Sequence, residues 1–349
     1  MNSEKRAVGI VGVTGYAGAE AARLVLRHPQ LQLVAVQSRS SAAMSLAQSV
    51  PSLAGATDLI CSGEDAPDAM AGCEVVILAQ EGGAAVRTAP ELLSAGQKVV
   101  DLSADFRLKQ PELYADWYGF AHASPHLLEE AAYGLPEMNR AYIAKSRLVA
   151  NPGCYPTAAT LALAPLLEAG YADTTSIVVD AWSGISGAGR ASKAHHFAET
   201  NENLSPYKVA GTHRHTPEIE QALSIAAGQS IRVSFTPHTA PVTRGILCTC
   251  YAQLTEPVTA ADLRNVYATR YQHEPFVRVV QNTLPTTAQV RGTNNCVIGV
   301  EVDARANRAV IISAIDNMVK GASGQAIQNI NLMLGLPETA GLDALPVWP

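Results

Sequence analysis

The residue with the clearest chemical potential in this sequence is Cys154, because of the elements predicted on either side of it. The stretch RLVANPGCYPTAATLALAPLLEAG (147–170) indicates a short apolar strand, a Pro-Gly turn and then a helix. Pro156 suits the first helical turn, and Gly170 suits the helix end. Cys154 is therefore predicted just ahead of a helix N-terminus, where the helix dipole favours an anion and lowers the pKa of a thiol. A thiolate there is a nucleophile, and the backbone N–H groups can hold an oxyanion; a buried structural cysteine is the alternative.

A second group of chemically useful residues lies in HRHTPEIEQ (213–221), ahead of and within the start of a predicted helix. His213 and His215 are candidates for an acid/base, because histidine titrates near neutral pH. Glu218 falls in the first helical turn, where it can orient a histidine or complement the helix dipole. Two histidines and a glutamate are also metal ligands, but no third ligand follows at zinc-site spacing, so no metal is predicted.

The segment GVTGYAGAE (12–20) has the glycine spacing of a dinucleotide-binding turn. Gly12, Gly15 and Gly18 follow a predicted strand and open a predicted helix. Glycines permit the tight turn and let a pyrophosphate approach the helix N-terminus. The spacing departs from the commoner GxGxxG, so the strand-turn-helix context carries the prediction.

The end of the second predicted strand indicates which dinucleotide is bound. An NAD-binding domain commonly has a carboxylate there, which binds the ribose 2′-OH. This sequence has Ser38, Arg39 and Ser40, whose hydroxyls and positive charge suit the 2′-phosphate of NADP. A solvated surface arginine is the alternative for Arg39.

Two further segments carry cations that can bind a phosphate or carboxylate. Arg107 ends DLSADFR (101–107), which follows a predicted strand and so lies at the ligand-binding edge of a sheet. A surface pair between Asp105 and Arg107 is the alternative. The Gly/Ser-rich loop SGISGAGRASK carries Arg190 and Lys193, and its backbone can approach a ligand closely.

The elements that must position these residues form two groups along the chain. In the first 150 residues, a helix at 19–28 and strands alternate, which predicts a parallel sheet; the strands are 7–13, 31–38, 74–79, 98–103 and 147–151. Strand-like segments then dominate and predict a mixed, largely antiparallel sheet, at 176–184, 231–242, 244–254, 276–281, 296–304 and 308–316. The last two predict a hairpin, and helices are predicted at 259–272 and 316–335.

Length and composition are those of an ordinary globular protein. At 349 residues the chain is long enough for two domains, and 48% of residues are apolar against 16% charged. A net charge of −6 gives no reason to expect nucleic acid or an anionic membrane as partner. The N-terminal sequence has neither a signal-peptide nor a membrane-span pattern, so a cytoplasmic location is expected. Six scattered cysteines argue against a zinc site or a disulfide framework.

Taken together, the motifs resemble those of the N-acetyl-γ-glutamyl-phosphate reductases of the longer bacterial type, nearly end to end. The most specific are NPGCYPT and HRHTPEIEQ, supported by GVTGYAGAE, LSADFR, SGISGAGR and KGASGQAIQN. The wider superfamily includes aspartate-semialdehyde dehydrogenase. The resemblance implies a Rossmann-type α/β domain for NADP (1–151 with 317–349) and an α+β catalytic and oligomerisation domain (152–316).

The resemblance also implies a reaction and roles for residues. Cys154 would attack an acyl phosphate and expel phosphate, and the thioester would be reduced by NADPH to a semialdehyde. His215 would be the acid/base with Glu218 beside it, and His213 is the second choice. Cofactor contacts are expected from Gly12, Thr14, Gly15, Tyr16, Ala17, Gly18, Ser38, Arg39, Ser40, Ser186, Gly187 and Asn317. Substrate contacts are expected from Arg107, Arg190, Lys193 and His213, in a homodimer or homotetramer.

Several alternatives stay open on the sequence alone. Aminoadipyl or aspartyl phosphate could replace N-acetyl-glutamyl phosphate, because one methylene changes selectivity only about 10–200-fold. A cysteine hydrolase would use the same Cys154 and His215 but has no need of the dinucleotide-binding turn. A catalytically inactive NADP-binding regulator would not need either of those two side chains.

Overall fold

Two compact units make up the fold, each with its own sheet. The computed structural model describes residues 5–64, 68–190 and 196–347. The first unit contains Met1–Pro152, Gly189–Ala191 and Ala322–Asp343; the second contains Gly153–Ala188, Ser192–Gly321 and Ala344–Pro349. The sequence-based division returned the chain to the first domain at residue 317, whereas the compact units change at residue 322 and place 344–349 in the second.

The first unit is a six-stranded, all-parallel sheet with helices between its strands. Its strands are β1 (Arg6–Val11), β2 (Leu31–Gln37), β3 (Val75–Leu78), β4 (Lys98–Asp101), β5 (Ala132–Tyr133) and β6 (Leu148–Ala150). They lie in the order β2-β1-β3-β4-β6-β5. The interior strands β3 and β6 are buried at every position, as expected for a sheet covered on both faces. This confirms the predicted Rossmann-type sheet.

The helices of this unit are more numerous than the sequence indicated. They are α1 (Tyr16–Arg27), α2 (Leu46–Ser49), α3 (Ala85–Ser94), α4 (Leu113–Tyr118), α5 (His126–Glu130), α6 (Pro136–Ile143) and, late in the chain, α11 (Gly324–Met333). Helix α1 starts at Tyr16, three residues before its predicted start. The predicted helix at 316–335 is interrupted, because Val319–Ser323 forms a π-helical turn before α11 begins.

The second unit is built on a seven-stranded mixed sheet. Its strands are β7 (Val178–Gly184), β8 (Ser205–Pro206), β9 (Ser234–Ala240), β10 (Ile246–Gln253), β11 (Val277–Val280), β12 (Cys296–Asp303) and β13 (Arg308–Ile315). Their order is β11-β12-β13-β10-β7-β9-β8, with two parallel and four antiparallel pairs. The predicted largely antiparallel sheet and the β12–β13 hairpin are both confirmed.

Helix α7 is the core helix of the second unit. The helices here are α7 (Cys154–Glu168), α8 (Phe197–Thr200), α9 (Thr216–Ala227) and α10 (Ala260–Tyr271). Helix α7 is buried along almost its whole length and carries apolar residues on all sides, as expected for a helix that is surrounded by other elements. Pro165 within it has no N–H to donate to the carbonyl of Leu161; the hydroxyl of Tyr271 donates to that oxygen instead, at 2.7 Å. This bond ties α10 to α7 and fixes the axis of the helix that begins at Cys154.

None of the helices in the described ranges is long and apolar enough to cross a membrane.

Candidate active site

Cys154 is the first residue of α7, one position further into the helix than the sequence predicted. Gly153 is the N-cap residue, with φ −66° and ψ 155°. The first turn of α7 therefore presents its backbone N–H groups and the positive end of the helix dipole at Cys154. Cys154 is half-buried, whereas the other five cysteines are buried. Its position combines access to solvent with an environment that favours a thiolate.

The remaining cysteines are poor candidates for the nucleophile. Burial raises the pKa of the Cys73 thiol to about 11 and also raises that of Cys61. Cys248 and Cys250 lie on one face of β10, with their sulfur atoms 3.6 Å apart. The hydrogen bond with Cys248, together with burial, raises the pKa of Cys250 well above its ordinary value. These thiols pack as core side chains.

Two contacts from distant parts of the sequence fix the turn that carries Cys154. Glu218 is fully buried in the first turn of α9, and its Oε1 accepts a hydrogen bond from the Gly153 N–H at 2.8 Å. Gly321, in the π-helical turn, packs against Cys154. A Cβ added there would lie 2.8 Å from Cys154 Cβ and 3.3 Å from Cys154 Cα. The sequence left Glu218 as a partner for a histidine or as a complement to the helix dipole; the structure adds that its carboxylate holds the turn before the cysteine.

His213 and His215 both lie beside the first turn of α7. The ring of Tyr155, which follows Cys154, makes edge contacts with His213 at 5.8 Å and His215 at 5.9 Å between ring centroids. The two histidine rings are 4.9 Å apart. His215 is half-buried as the N-cap residue of α9, and its backbone N–H donates to His213 Nδ1 at 3.0 Å.

This hydrogen bond and the surroundings give His213 a defined protonation state. Because Nδ1 accepts from a backbone N–H, the neutral ring carries its proton on Nε2. Burial is the main cause that lowers the pKa of His213 to about 4, and the nearby positive charges of Lys208 and Arg214 contribute in the same direction. His213 is therefore neutral near pH 7 and can donate a hydrogen bond from Nε2. That state suits a binding residue better than a group that gains and loses a proton.

Tyr207 extends the cluster toward the sheet edge. Its hydroxyl donates to the Tyr155 hydroxyl at 3.2 Å, and that hydroxyl donates to the His238 carbonyl at 3.1 Å. Burial raises the pKa of Tyr207 to about 12, so it stays protonated. The sequence analysis did not select either tyrosine, because a single tyrosine carries no distinctive spacing.

Asn317, Ser186 and Gly187, expected from the sequence to contact the cofactor, come together within the second unit. Asn317 Nδ2 donates to Ser186 Oγ at 2.9 Å, and Asn317 Oδ1 accepts from the Gly245 N–H at 2.7 Å. A Cβ at Gly187 would lie 3.8 Å from Asn317 Nδ2. The amide of Asn317 is thus held in one orientation by both of its ends.

In the first unit, the glycine-rich turn joins β1 to α1 as predicted and has a shape that fits a dinucleotide. Gly12 has φ +82°, and a Cβ there would lie 2.4 Å from the Ala79 carbonyl oxygen. A Cβ at Gly18 would lie 2.3 Å from the Gly12 oxygen, so both positions require glycine. Gly15 is the N-cap of α1, whose N-terminus is a ready site for a phosphate. Tyr16 and Ala17 follow in the first turn.

The residues expected to recognise the 2′-phosphate lie next to this turn. Ser38 is buried at the end of β2, and its Oγ is 2.8 Å from Thr14 Oγ1 and 3.4 Å from Ser40 Oγ. Arg39 and Ser40 are exposed. A row of hydroxyls with a neighbouring arginine remains a donor set suited to a phosphate.

The other predicted anion-binding residues are placed differently. Arg107 is buried, and its guanidinium donates to the carbonyls of Asn151 and Leu102, each at 2.8 Å. The alternative of a surface pair with Asp105 is wrong, because Asp105 is fully buried and accepts from the Gly83 N–H at 2.8 Å.

Arg190 donates to the carbonyls of Thr14 and Ser49, each at 3.0 Å, and so lies at the predicted cofactor turn. Lys193 lies outside the described residues. Within the described ranges there is no group of three side chains suited to holding a metal ion.

Comparison with known proteins gives the family. The sequence profile described as "Semialdehyde dehydrogenase, NAD binding domain" matches residues 7–146, and "Semialdehyde dehydrogenase, dimerisation domain" matches residues 154–317. An N-acetyl-gamma-glutamyl-phosphate reductase from Symbiobacterium thermophilum is 52% identical over 345 residues, covering 98% of this chain and 99% of that protein. One from Citrifermentans bemidjiense is 49% identical over 344 residues, with the same coverage of both chains.

The chain belongs to the N-acetyl-gamma-glutamyl-phosphate reductase family.

Solved structures that are more distant in sequence share the fold of this N-acetyl-gamma-glutamyl-phosphate reductase family member. Aspartate semialdehyde dehydrogenase II from Vibrio cholerae, complexed with ASA, is 18% identical with a TM-score of 0.75, covering 95% of this chain and 99% of that one. Aspartate semialdehyde dehydrogenase with NADP from Candida albicans is 15% identical, with a TM-score of 0.70 and the same coverage. The resemblance drawn from the motifs is therefore confirmed at the level of family and of fold.

Proposed function

We propose that this protein catalyses the NADPH-dependent reduction of N-acetyl-L-glutamyl 5-phosphate to N-acetyl-L-glutamate 5-semialdehyde, with release of phosphate, in arginine biosynthesis. The observation that carries the proposal is Cys154 at the first residue of α7, half-exposed, with two histidines packed beside the same helical turn. The name shared by relatives that are about 50% identical over nearly the whole chain supports the substrate.

The chain's own residues account for the covalent part of the reaction. The Cys154 thiolate attacks the acyl carbon, and the C–O bond to phosphate breaks to leave a thioester on sulfur. His215 donates a proton to the departing phosphate and later recovers one from solvent. The backbone N–H groups of the first turn of α7 stabilise the oxyanion in each tetrahedral state. When bound, NADPH supplies the hydride that reduces the thioester. Breakage of the C–S bond then releases the aldehyde and restores the thiolate.

Glu218 and His213 have supporting roles in this proposal. Glu218 holds the Gly153 peptide and thus the start of the helix that carries the nucleophile. His213, neutral with its proton on Nε2, donates a hydrogen bond to a substrate oxygen.

Each group of cofactor residues is assigned to one part of NADP. The turn of Gly12, Thr14, Gly15, Tyr16, Ala17 and Gly18 binds the pyrophosphate. Ser38, Arg39 and Ser40 bind the 2′-phosphate, and Arg190 supports the turn through the Thr14 carbonyl. Ser186, Gly187 and Asn317 serve the nicotinamide end. The first compact unit is the NADP domain in this proposal, and the second compact unit is the catalytic and oligomerisation domain.

The chain carries a domain of the dimerisation type, and we propose that it forms a homodimer or homotetramer in the cytoplasm. One face of the second sheet is covered by α7: Cys248 and Cys250 of β10 are buried, and Ser313 Oγ of β13 donates to the Ala158 carbonyl of α7 at 2.9 Å. On the opposite face, half-buried apolar side chains alternate with these along the strands, and they include Trp182, Leu247, Tyr251 and Ile312. A second copy of the chain covers this face, and sedimentation of a Tyr251→Glu variant as a smaller species is the expected result.

The test of the proposed reaction is its reverse, followed as NADPH absorbance with phosphate and NADP⁺. N-acetylglutamate semialdehyde is expected to have a higher kcat/KM than aspartate or aminoadipate semialdehyde. Cys154→Ser is expected to bind NADP⁺ as the unchanged protein does but to produce no NADPH, because an alcohol lacks the accessible anion of a thiol. A higher kcat/KM for another semialdehyde would reassign the substrate, and substantial activity in Cys154→Ser would refute the covalent mechanism.

A further inference from the structure

Two of the places where the chain passes from one compact unit to the other lie next to Cys154. The chain leaves the first unit between Pro152 and Gly153, and it returns to that unit between Gly321 and Ala322. Within the second unit, Gly321 packs against Cys154. The position of the nucleophile therefore depends on what holds these two passages of the chain.

Asn151 joins the two passages on the side of the first unit. Its side chain is buried, and its Nδ2 donates to the Ala322 carbonyl at 3.0 Å, across 171 positions of sequence. One of these residues lies three positions before Cys154, and the other directly follows Gly321. The function proposed above gives Asn151 no role.

Three further hydrogen bonds hold Asn151 in place within the first unit. Its Oδ1 accepts from Asn329 Nδ2 at 3.1 Å, so its own Nδ2 faces the Ala322 carbonyl. Its backbone N–H donates to the Asp101 carbonyl at 2.8 Å, and its carbonyl accepts from Arg107 Nε at 2.8 Å. Because both the backbone and the amide of Asn151 are held, the bond to Ala322 has little freedom to shift.

The link from Asn151 to Cys154 is short and stiff. The ring of Pro152 fixes its own φ and restricts the residue before it to extended conformations. Gly153 is also extended, with φ −66° and ψ 155°, and its N–H donates to the Glu218 carboxylate at 2.8 Å. A displacement at Asn151 therefore reaches the start of α7, because the link has no freely rotating segment to absorb it.

The link from Ala322 to the contact with Cys154 is shorter still. Ala322 follows Gly321 directly in the π-helical turn Val319–Ser323, and the Gly321 N–H donates to the Asp316 carbonyl at 3.0 Å. A Cβ at Gly321 would lie 2.8 Å from Cys154 Cβ, so the two residues approach very closely. Movement of the Ala322 carbonyl would change this contact, since close-packed groups transmit small shifts.

We propose that Asn151 is a positioning residue for the nucleophile. By donating to the Ala322 carbonyl, it holds together the segment that leads to Cys154 and the segment that follows Gly321, and so sets the contact between these two residues. The inference rests on the proposed function only for the reaction in which kcat is measured. An asparagine that only stabilises the first unit would have an effect independent of Gly321.

The first test removes the hydrogen bond to the Ala322 carbonyl with Asn151→Ala. Asn139→Ala is the matched control, because Asn139 Nδ2 also donates to a backbone carbonyl of the first unit, that of Tyr133, at 3.0 Å. We expect Asn151→Ala to lower kcat of the reverse reaction about 10–100-fold, since a misplacement of about 1 Å costs up to about 100-fold in rate. The KM for phosphate and the affinity for NADP⁺ should stay within about threefold. Asn139→Ala should match the unchanged protein in all three quantities.

The second test measures the coupling of Asn151→Ala with Gly321→Ala. If Asn151 acts through the contact between Gly321 and Cys154, the double variant should have a kcat within about threefold of that of Gly321→Ala alone. Two independent losses would instead multiply. Multiplied losses, a kcat of Asn151→Ala equal to that of Asn139→Ala, or a change in KM without a change in kcat would overturn the assignment.

The rate at which iodoacetamide alkylates Cys154 provides the same cycle without any substrate. Asn151→Ala should change this rate when Gly321 is present and should have little further effect in the Gly321→Ala protein. If no aldehyde reacts but this coupling is observed, the proposed function fails and the positioning role stands. Equal changes in both proteins would refute the role.

A second variant replaces Asn151→Ala if that protein does not fold. Asn151→Asp keeps the shape of the side chain and an acceptor for Asn329, but its carboxylate cannot donate to the Ala322 carbonyl. The same losses in kcat and the same coupling with Gly321→Ala are expected for it. A kcat within about twofold of that of the unchanged protein would show that the bond to Ala322 does not position the thiol.

Discussion

Replacement of Gly321 by alanine should disable the nucleophile without unfolding the protein. The new Cβ would lie 2.8 Å from Cys154 Cβ, and 3.3 Å from both Cys154 Cα and Ile315 Cδ1. Ordinary carbon–carbon contacts are about 3.5–4.0 Å. The start of α7 must therefore move by about 1 Å, because two of these three atoms belong to Cys154 and cannot rotate away.

The size of the effect follows from that displacement. Overpacking of one methyl group costs about 1–3 kcal/mol of stability, and a misplacement of about 1 Å costs about 100-fold in rate. Gly321 has no positive φ, so alanine introduces no backbone strain there. We expect kcat of the reverse reaction to fall about 100-fold, and NADP⁺ affinity to stay unchanged.

The control is Gly72→Ala, since a Cβ at Gly72 would meet nothing within 4 Å and its φ is not positive either. This variant should match the unchanged protein in kcat and in thermal midpoint. The rate of alkylation of Cys154 by iodoacetamide gives a second readout, which should change in Gly321→Ala and not in Gly72→Ala. A Gly321→Ala protein with kcat within twofold of the unchanged protein would refute the argument that contact at Gly321 sets the position of the thiol.

Three further results are expected. Arg39→Ala should raise the KM for NADPH about 10–100-fold and leave that for NADH unchanged, because only the 2′-phosphate contact is lost; equal effects on both would contradict this role. Glu218→Ala should destabilise the protein by about 1–3 kcal/mol in urea unfolding, because the buried Gly153 N–H is left without its acceptor, whereas Glu218→Gln keeps an acceptor oxygen and should lose less. The pKa of His213 is about 4 in the folded protein, against 6.5 for an unperturbed histidine in the unfolded chain. Between these two pH values the unfolded chain binds more protons than the folded protein does. The free energy of unfolding therefore falls as the pH falls from 6.5 to 4. His213→Asn should reduce that fall in the free energy of unfolding by up to ~3 kcal/mol. If the variant and the unchanged protein lose the same stability between pH 6.5 and 4, the pKa of His213 is not lowered in the folded protein.

Local patterns in the sequence predicted the elements that position the site. The strand before Gly12 and the turn before Cys154 are local features. Each is determined by glycine, proline and apolar residues that lie within a few positions of one another in the sequence. The structure moves the helix start by one residue at Cys154. Helix α3 was not predicted, and Pro90 within it explains why, since proline in a helix interior argues against a helix.

Partners across long stretches of sequence could not be predicted in the same way. Glu218 bonds to a backbone group 65 residues earlier, and the sequence shows only that a carboxylate is present. Arginine is a residue type that binds anions, so Arg107 was selected from the sequence. In the folded protein its guanidinium donates to the backbone carbonyls of Asn151 and Leu102, which no local pattern indicates.

The division of the first unit into separate stretches of chain has a consequence for synthesis on the ribosome. Helix α11 supplies bonds that the first 152 residues lack: Asn329 Nδ2 donates to the Gly134 carbonyl at 2.9 Å, and Lys98 donates to the Met333 carbonyl. At translation rates of about 5–20 residues per second, the early part of the nascent chain waits about 10–40 s for α11 to emerge. Meanwhile most of the second unit, made later, has all its strands available. The half of the protein that is translated first therefore needs a helix that is made after every strand of the second unit, and a premature stop shortly before α11 would remove that helix from the part of the chain that was made earliest.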